Sequence, residues 1–471
     1  MNSKIPVCLE VGRSYRPKAE YSIRMLLGSL GLGPIFKSRS ELSRGGLYYG
    51  HHPAGLHSGV TVCSFSNRAE EFFDHSTSLN PTSVKWRHYS GYNIPILFSS
   101  ERGEDLVASA FYWLSGWQEH TVHSRDQHGR FPHKASLQSV LNTTHLPVVE
   151  FYRDILREKL AVAEVHTEHR TWSGKNWAFC PTIDVDYLRH WRPGMIYREK
   201  VLYFLLNHRK VNMSRRWRRL FQFIRSYCTP GDAFQIALKR MHRLIRTYGS
   251  ATVFLKTAAH GPNDVNYRLD QIFIQNIVRE LQSDHFEIGL HPSYHAYSHP
   301  KYLRKERHAL TKLVGISPVS VRQHFLRYEP AITPQIQMRA GFRIDSSLGF
   351  AECAGFRNGT CLPFLKFDCA RNKVLDLWEI PLLLMDGALF NRQKYNVDEA
   401  VQRSVELLKL CKKFGGIGVV LWHNVIGEEM DYPGWADHFE QIIKWSSEQD
   451  AYIGSLRDTL ALWTGYSYDQ R

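Results

Sequence analysis

The sequence predicts an α/β protein, with a parallel sheet or (β/α) barrel in the C-terminal part and a smaller mixed α/β domain before it. Two observations predict this. From residue 178 onward, short apolar runs alternate with longer stretches of helical period, the pattern of a parallel sheet with crossover helices. Polar and ionisable residues also gather immediately after several of these runs, where α/β proteins place their active groups.

The elements follow in order. Within the first 170 residues, 21–31 read as a helix with a glycine exit, and 60–65 alternate as a strand. Residues 104–119 are helical by the spacing of Leu106, Val107, Ala110, Phe111, Leu114 and Trp117. A polar, glycine-bearing stretch follows at 126–131. In the second part, strands are predicted at 178–183, 251–255, 286–290, 319–321, 342–344, 377–380, 417–421 and 451–453. Helices are predicted between them at 266–283, 300–314, 332–340, 397–413 and 434–448. Seven or eight such units suit a barrel. Residues 195–250 interrupt the rhythm as a basic helical insertion, and Gly415 and Gly416 end one helix and start the strand leading to His423.

Composition sets the bounds. The 471 residues are 43% hydrophobic and 22% charged, an ordinary globular make-up with room for two or three cores. The net charge of +15 suits an anionic partner, and Arg209, Lys210, Arg215, Arg216, Arg218 and Arg219 concentrate it within the insertion. A solvated helix face explains the same residues, and no helix-turn-helix or zinc-finger pattern supports nucleic-acid binding. None of the eight cysteines forms a Cys-x-x-Cys pair, so free thiols in a reducing compartment are expected. The N-terminus carries no leader-like segment, and no apolar run reaches the ~18 residues of a membrane span. These readings predict a cytoplasmic protein.

The polar strand ends assemble a candidate site. Asp184 and Asp186, two apart on an extended chain, point to one face. His291 and His295, four apart, face the same way if they share a helical turn. Asp186, His291 and His295 then make a one-carboxylate, two-histidine metal site with open positions. A chain with 24 histidines also produces such pairs by chance. Asp184 beside the metal suits a general base, Arg322 suits a cation that keeps this base ionised, and His423 suits an acid for a leaving amine. Asp345 is placed to orient His423 or Arg322. Plainer roles exist for several: strand-end ion pairs for Arg322, His324 and Asp345, a structural histidine at 423, and a turn residue at 184.

In this order, Asp184-x-Asp186, His291-x-x-x-His295, Arg322, Asp345 and Leu421-Trp-His423 resemble the five motifs of the NodB-type polysaccharide deacetylases, carbohydrate esterase family four, over about residues 178–465. The resemblance implies a distorted (β/α) barrel of about seven strands. It also implies a divalent metal, zinc first, and hydrolysis of N-acetyl groups on a carbohydrate, an acidic one included. Pro292 stands where the family's second motif has serine or threonine, and the proline-containing end of the third motif is absent. A hydrolase of small non-peptide amides and a glycan-binding protein without catalysis are the alternatives on the same barrel. Residues 1–170, through 105–115, Glu119 and Asp126-x-His-Gly-Arg130-Phe, resemble a domain of unassigned role that precedes such barrels in bacterial proteins. The expected division is 1–170 and 171–471.

Overall fold

The computed structural model describes residues 3–190, 217, 221, 232–264, 267–427, 429 and 431–468. Its N-terminal domain is built on a parallel sheet of Ser3–Glu10 (β1), Leu32–Lys37 (β2), Leu47–Gly50 (β3) and Thr61–Cys63 (β4), in the order β2-β1-β3-β4. Two antiparallel pairs follow, Lys85–Tyr89 (β5) with Tyr92–Ile96 (β6), and Ser99–Ser100 (β7) with Gly103–Glu104 (β8). The predicted helix at 104–119 forms as Leu106–Leu114 and Trp117–Thr121. It breaks at Gly116, whose φ of +64° lies where a side chain would be strained. Every residue of Leu106–Leu114 is buried, which explains its nearly unbroken apolar sequence.

The second sheet centres on Ala178–Val185 (β9), a mostly apolar strand buried along its whole length, as a strand covered on both faces must be. The other strands are Thr252–Leu255 (β10), Glu287–Leu290 (β11), Ser320–Val321 (β12), Ile344–Asp345 (β13), Phe364–Asp368 (β14), Lys373–Glu379 (β15), Leu382–Met385 (β16), Ile417–His423 (β17) and Tyr452–Ile453 (β18). The sheet path runs β14-β15-β13-β12-β11-β10-β9-β17-β16, and β18 pairs with the start of β9. Every pairing is parallel except the β14–β15 hairpin. β15 ends at Glu379 and β16, at the far end of the path, begins at Leu382. Three residue steps span at most about 11 Å, so the path has to curl round on itself. The result is a distorted, open barrel.

The expectation of about seven strands is thus exceeded. β14 and β16 are the additions: β14 pairs antiparallel and breaks the strand–helix rhythm, while β16 follows β15 with no helix between them. The helices Pro300–Val314, Val397–Phe414 and Trp435–Glu448 lie where helical period placed them. Most of the basic insertion, including Arg209 to Arg219, lies outside the described residues apart from 217. Its end forms the helix Ala233–Arg246, where Lys239 pairs with Glu280, Arg240 with Glu440 and Arg246 with Asp284. These charges belong to a solvated, compensated helix face. No helix among the described residues is long and apolar enough to cross a membrane. All seven described cysteines are free.

One hydrophobic core runs through both sheets, from Ile5 to Ile453. Phe367 of β14 packs at 5.2 Å from Tyr21 and 5.0 Å from Phe111, and Phe414 packs at 4.7 Å from Phe151. Arg357 makes a buried two-pronged ion pair with Glu119, at 2.8 and 2.7 Å. Tyr21 donates to the Leu365 carbonyl at 2.7 Å.

Candidate metal centre

Strand register puts the chemistry at one height. Val185, Leu255, Leu290, Val321 and Asp345 are successive Cα partners across β9 to β13. The next residues along, Asp186, Lys256, His291 and Arg322, therefore emerge together at the C-terminal edge. His423 of β17 pairs with Asp184 of β9, two residues before Asp186.

Asp186 Oδ1 lies 3.3 Å from His291 Nε2 and 3.3 Å from His324 Nε2. Two ligand atoms bound tetrahedrally to one zinc-sized ion sit about 3.4 Å apart. Among the described residues, Asp186, His291 and His324 are the one group of three potential metal donors whose ligand atoms all lie within 4.8 Å of one another. Their outer atoms are tied down as a metal site requires. His291 Nδ1 donates to the Arg322 carbonyl at 2.7 Å, and His324 Nδ1 donates to Asp264 Oδ1 at 3.0 Å, so both Nε2 atoms face inward. Lys256 compensates Asp264 at 3.2 Å in a buried contact. Oδ1 of Asp184 and of Asp186 are buried without a hydrogen-bond donor, orphaned acceptors that a cation would satisfy. This donor set fits a divalent metal.

Electrostatics agree. Burial raises the Asp186 carboxyl, yet His324 and His291 outweigh it and hold it well below the usual range, hence ionised. Burial lowers the His324 imidazole, but Asp186 and Asp264 raise it overall. A cation here competes with a proton for His324.

Around the donors stand the other predicted groups. Asp184 Oδ2 is 3.7 Å from His291 Nε2, and Asp184 Oδ1 is 3.8 Å from Nη1 of the buried Arg322. Arg322 Nη2 donates to Ser346 Oγ at 3.0 Å. Burial lowers the Arg322 guanidinium, against the pull of Asp184, Glu379 and Asp345. His423 Nε2 is 3.7 Å from Asp186 Oδ2. Its Nδ1 donates to Asp386 Oδ1 at 2.8 Å and its backbone N–H to Asp386 Oδ2 at 2.7 Å. Burial lowers this imidazole, but Asp386, then Asp186 and Asp184, lift it to about 10, so it is protonated at neutral pH. Asp184, Asp186, His291, His324 and His423 share the wall of a cavity of about 310 Å³ with Arg130, Phe325, Asn391 and Arg392.

Two expectations are corrected. His295 does not join the cluster; His324 takes the place predicted for it. The reason is local: residues 291–295 are not helical, and the short 3-10 helix spans only Ala296–Ser298. After Pro292, which has no N–H, Ser293 is drawn to Glu306 and Tyr294 N–H to Asp264. The His295 ring instead packs against Gly261 and lies 5.1 Å from Tyr294. Of the two roles expected of Asp345, beside His423 or beside Arg322, the first is filled by Asp386. Asp345 forms a buried cluster with Lys366 at 3.1 Å and Ser347 at 2.5 Å, within the field of Arg322. Asp386, Asp264 and Lys256 were missed. A parallel-strand reading of residues 382–385 would have placed Asp386 at a strand end beside His423.

Residues 13–164 match the model of a family of unknown function (DUF7033). No curated protein matches the chain. Among solved structures, the chain is similar to a protein assigned as a polysaccharide deacetylase from Mycobacterium smegmatis. The two are 17% identical with a TM-score of 0.41, over 63% of this chain and 94% of that one. It is also similar to the peptidoglycan deacetylase PdaC from Bacillus subtilis, at 11% identity and a TM-score of 0.32, over 62% and 93%. A third is a CE4 family pseudoenzyme from Bacillus anthracis, at 11% identity and a TM-score of 0.28, over 61% and 66%.

Proposed function

We propose that this protein is a metal-dependent hydrolase that removes N-acetyl groups from a carbohydrate. The observation that carries the reading is the convergence, on one cavity, of the Asp186–His291–His324 donor set with an ionisable Asp184 and a protonated His423. The carbohydrate part rests on the resemblance of Asp184-x-Asp186, His291, Arg322 and Leu421-Trp-His423 to the polysaccharide deacetylases.

Asp186, His291 and His324 would hold the cation, zinc by the chemistry of these donors. When bound, it supplies Lewis-acid polarisation of the acyl group and of water. Asp184 takes the proton from the attacking water, with Arg322 Nη1 3.8 Å from its Oδ1. His423, charged and fixed by Asp386, gives its proton to the departing amine nitrogen. Its fixed orientation allows proton delivery without a search.

The test is acetate release from N-acetylglucosamine oligomers by the full chain loaded with zinc or cobalt. Asp184→Asn is expected to keep its metal and lose turnover by about 10²–10⁴-fold, the usual worth of a positioned base. A folded chain that takes up no metal, or an Asp184→Asn variant with undiminished turnover, overturns the reading.

A further inference from the structure

Arg130 belongs to the N-terminal domain, more than fifty residues before the first strand-end aspartate, yet it lines the same cavity as the metal donors. The turn that carries it is firmly built. Asp126 Oδ1 accepts the backbone N–H of His128 at 2.8 Å and of Arg130 at 2.9 Å, and Asp126 Oδ2 accepts Arg130 Nε at 2.7 Å. Gly129 between them has a φ of +74°, a conformation costly for other residues.

This turn grips both loops that present histidine ligands. On the His291 side, His128 Nδ1 lies 3.0 Å from the Tyr294 hydroxyl. Arg327 ties the two together, donating from Nε to the His128 carbonyl at 2.7 Å and from Nη1 to the Tyr294 carbonyl at 2.8 Å. On the His324 side, Arg130 Nη1 donates to the Phe325 carbonyl at 3.0 Å, and the His128 ring lies 4.7 Å from the Phe325 ring.

The His324 side needs such a grip. Phe325 and Leu326, directly after the ligand, have φ of +60° and +54°. Two consecutive non-glycine residues in the left-handed region are strained and persist only where surroundings hold them. Phe325 adjoins His324, so the form of this turn sets where His324 stands relative to Asp186.

Building on the metal-centre reading above, we propose that residues 126–130 are part of the active site, with Arg130 the positioning residue that locks the His324 loop into its metal-binding form. The N-terminal domain thereby completes a metal centre whose donors all lie in the barrel.

The experiment is cobalt titration of the full-length chain, read by calorimetry and by the visible spectrum of the bound ion. Arg130→Ala is expected to weaken cobalt binding about tenfold, the low end of the effect of removing support behind a ligand, and to change the spectrum. Arg130→Lys keeps the charge but not the fork spanning Asp126 and the Phe325 carbonyl, and is expected to show a smaller loss of the same kind. Tyr21→Phe removes a hydrogen bond between the same two domains, far from the turn, and is expected to bind cobalt as the wild type does. Wild-type affinity and spectrum in both Arg130 variants overturn the proposal. So does an equal loss in Tyr21→Phe, which would reduce the effect to general loosening. A wild-type chain that binds no cobalt overturns the metal-centre reading and this inference with it.

Discussion

Replacing Asp386 by asparagine tests the acid side of the site without touching a metal donor. Asp386 is buried and accepts two hydrogen bonds from His423 at 2.8 and 2.7 Å. Burial alone would depress His423; Asp386 is the largest of the charges that lift it to about 10, with Asp186 only at 3.7 Å. Asparagine keeps the shape and loses the charge. His423 should then titrate at least about two pH units lower, which at 1.36 kcal/mol per unit is about 3 kcal/mol of coupling. The sign follows from linkage. A histidine raised above its ordinary value stabilises the fold fully below that value and loses the contribution as pH rises through the folded value. The stability gap between wild type and Asp386→Asn should therefore be widest near pH ~6 and close towards pH ~10. The assay is an NMR titration of the histidine ring protons in the metal-free chain, with urea unfolding at several pH values. An Asp386→Asn variant in which His423 still titrates near 10 refutes the reasoning.

Other perturbations separate the remaining roles. His324→Ala should abolish stoichiometric zinc in the purified protein whereas His295→Ala should leave it intact, measured by metal analysis; the reverse outcome restores the sequence-based ligand set. Glu119→Gln leaves the buried Arg357 guanidinium without its charge partner, and should cost about 3–5 kcal/mol in urea unfolding. A loss under ~1 kcal/mol would put the pair in the class of surface ion pairs.

The parts of the fold that were legible owe it to local signals. The helix Pro300–Val314 starts on a proline in its first turn and ends on Gly315 in the left-handed conformation, both visible as residue types. β9 and β17 are legible as mostly apolar runs. Asp184, Asp186, His291, Arg322 and His423 were found because strand ends can be read from such runs. What failed was anything set by contacts between distant segments. His295 shares a sequence spacing with His291, but spacing selects a common face only on a helix, and Pro292 with its neighbours prevents one. His324 stood beside Arg322 in the sequence and was read as a possible ion-pair partner. Its role emerges only when the turn at Phe325 and Leu326 aims it back at Asp186. Asp264 supports His324 across 60 residues, and Asp386 supports His423 across 37, distances at which periodicity carries no information.

The core shared between the two sheets sets a clock on biosynthesis. Phe111 packs on Phe367, which is 367 − 111 = 256 residues later in the chain. At translation rates of about 5–20 residues per second, the apolar face of the N-terminal domain waits roughly 13–51 s for its cover. During that interval the aromatic face of the N-terminal domain has no partner from the later sheet to cover it.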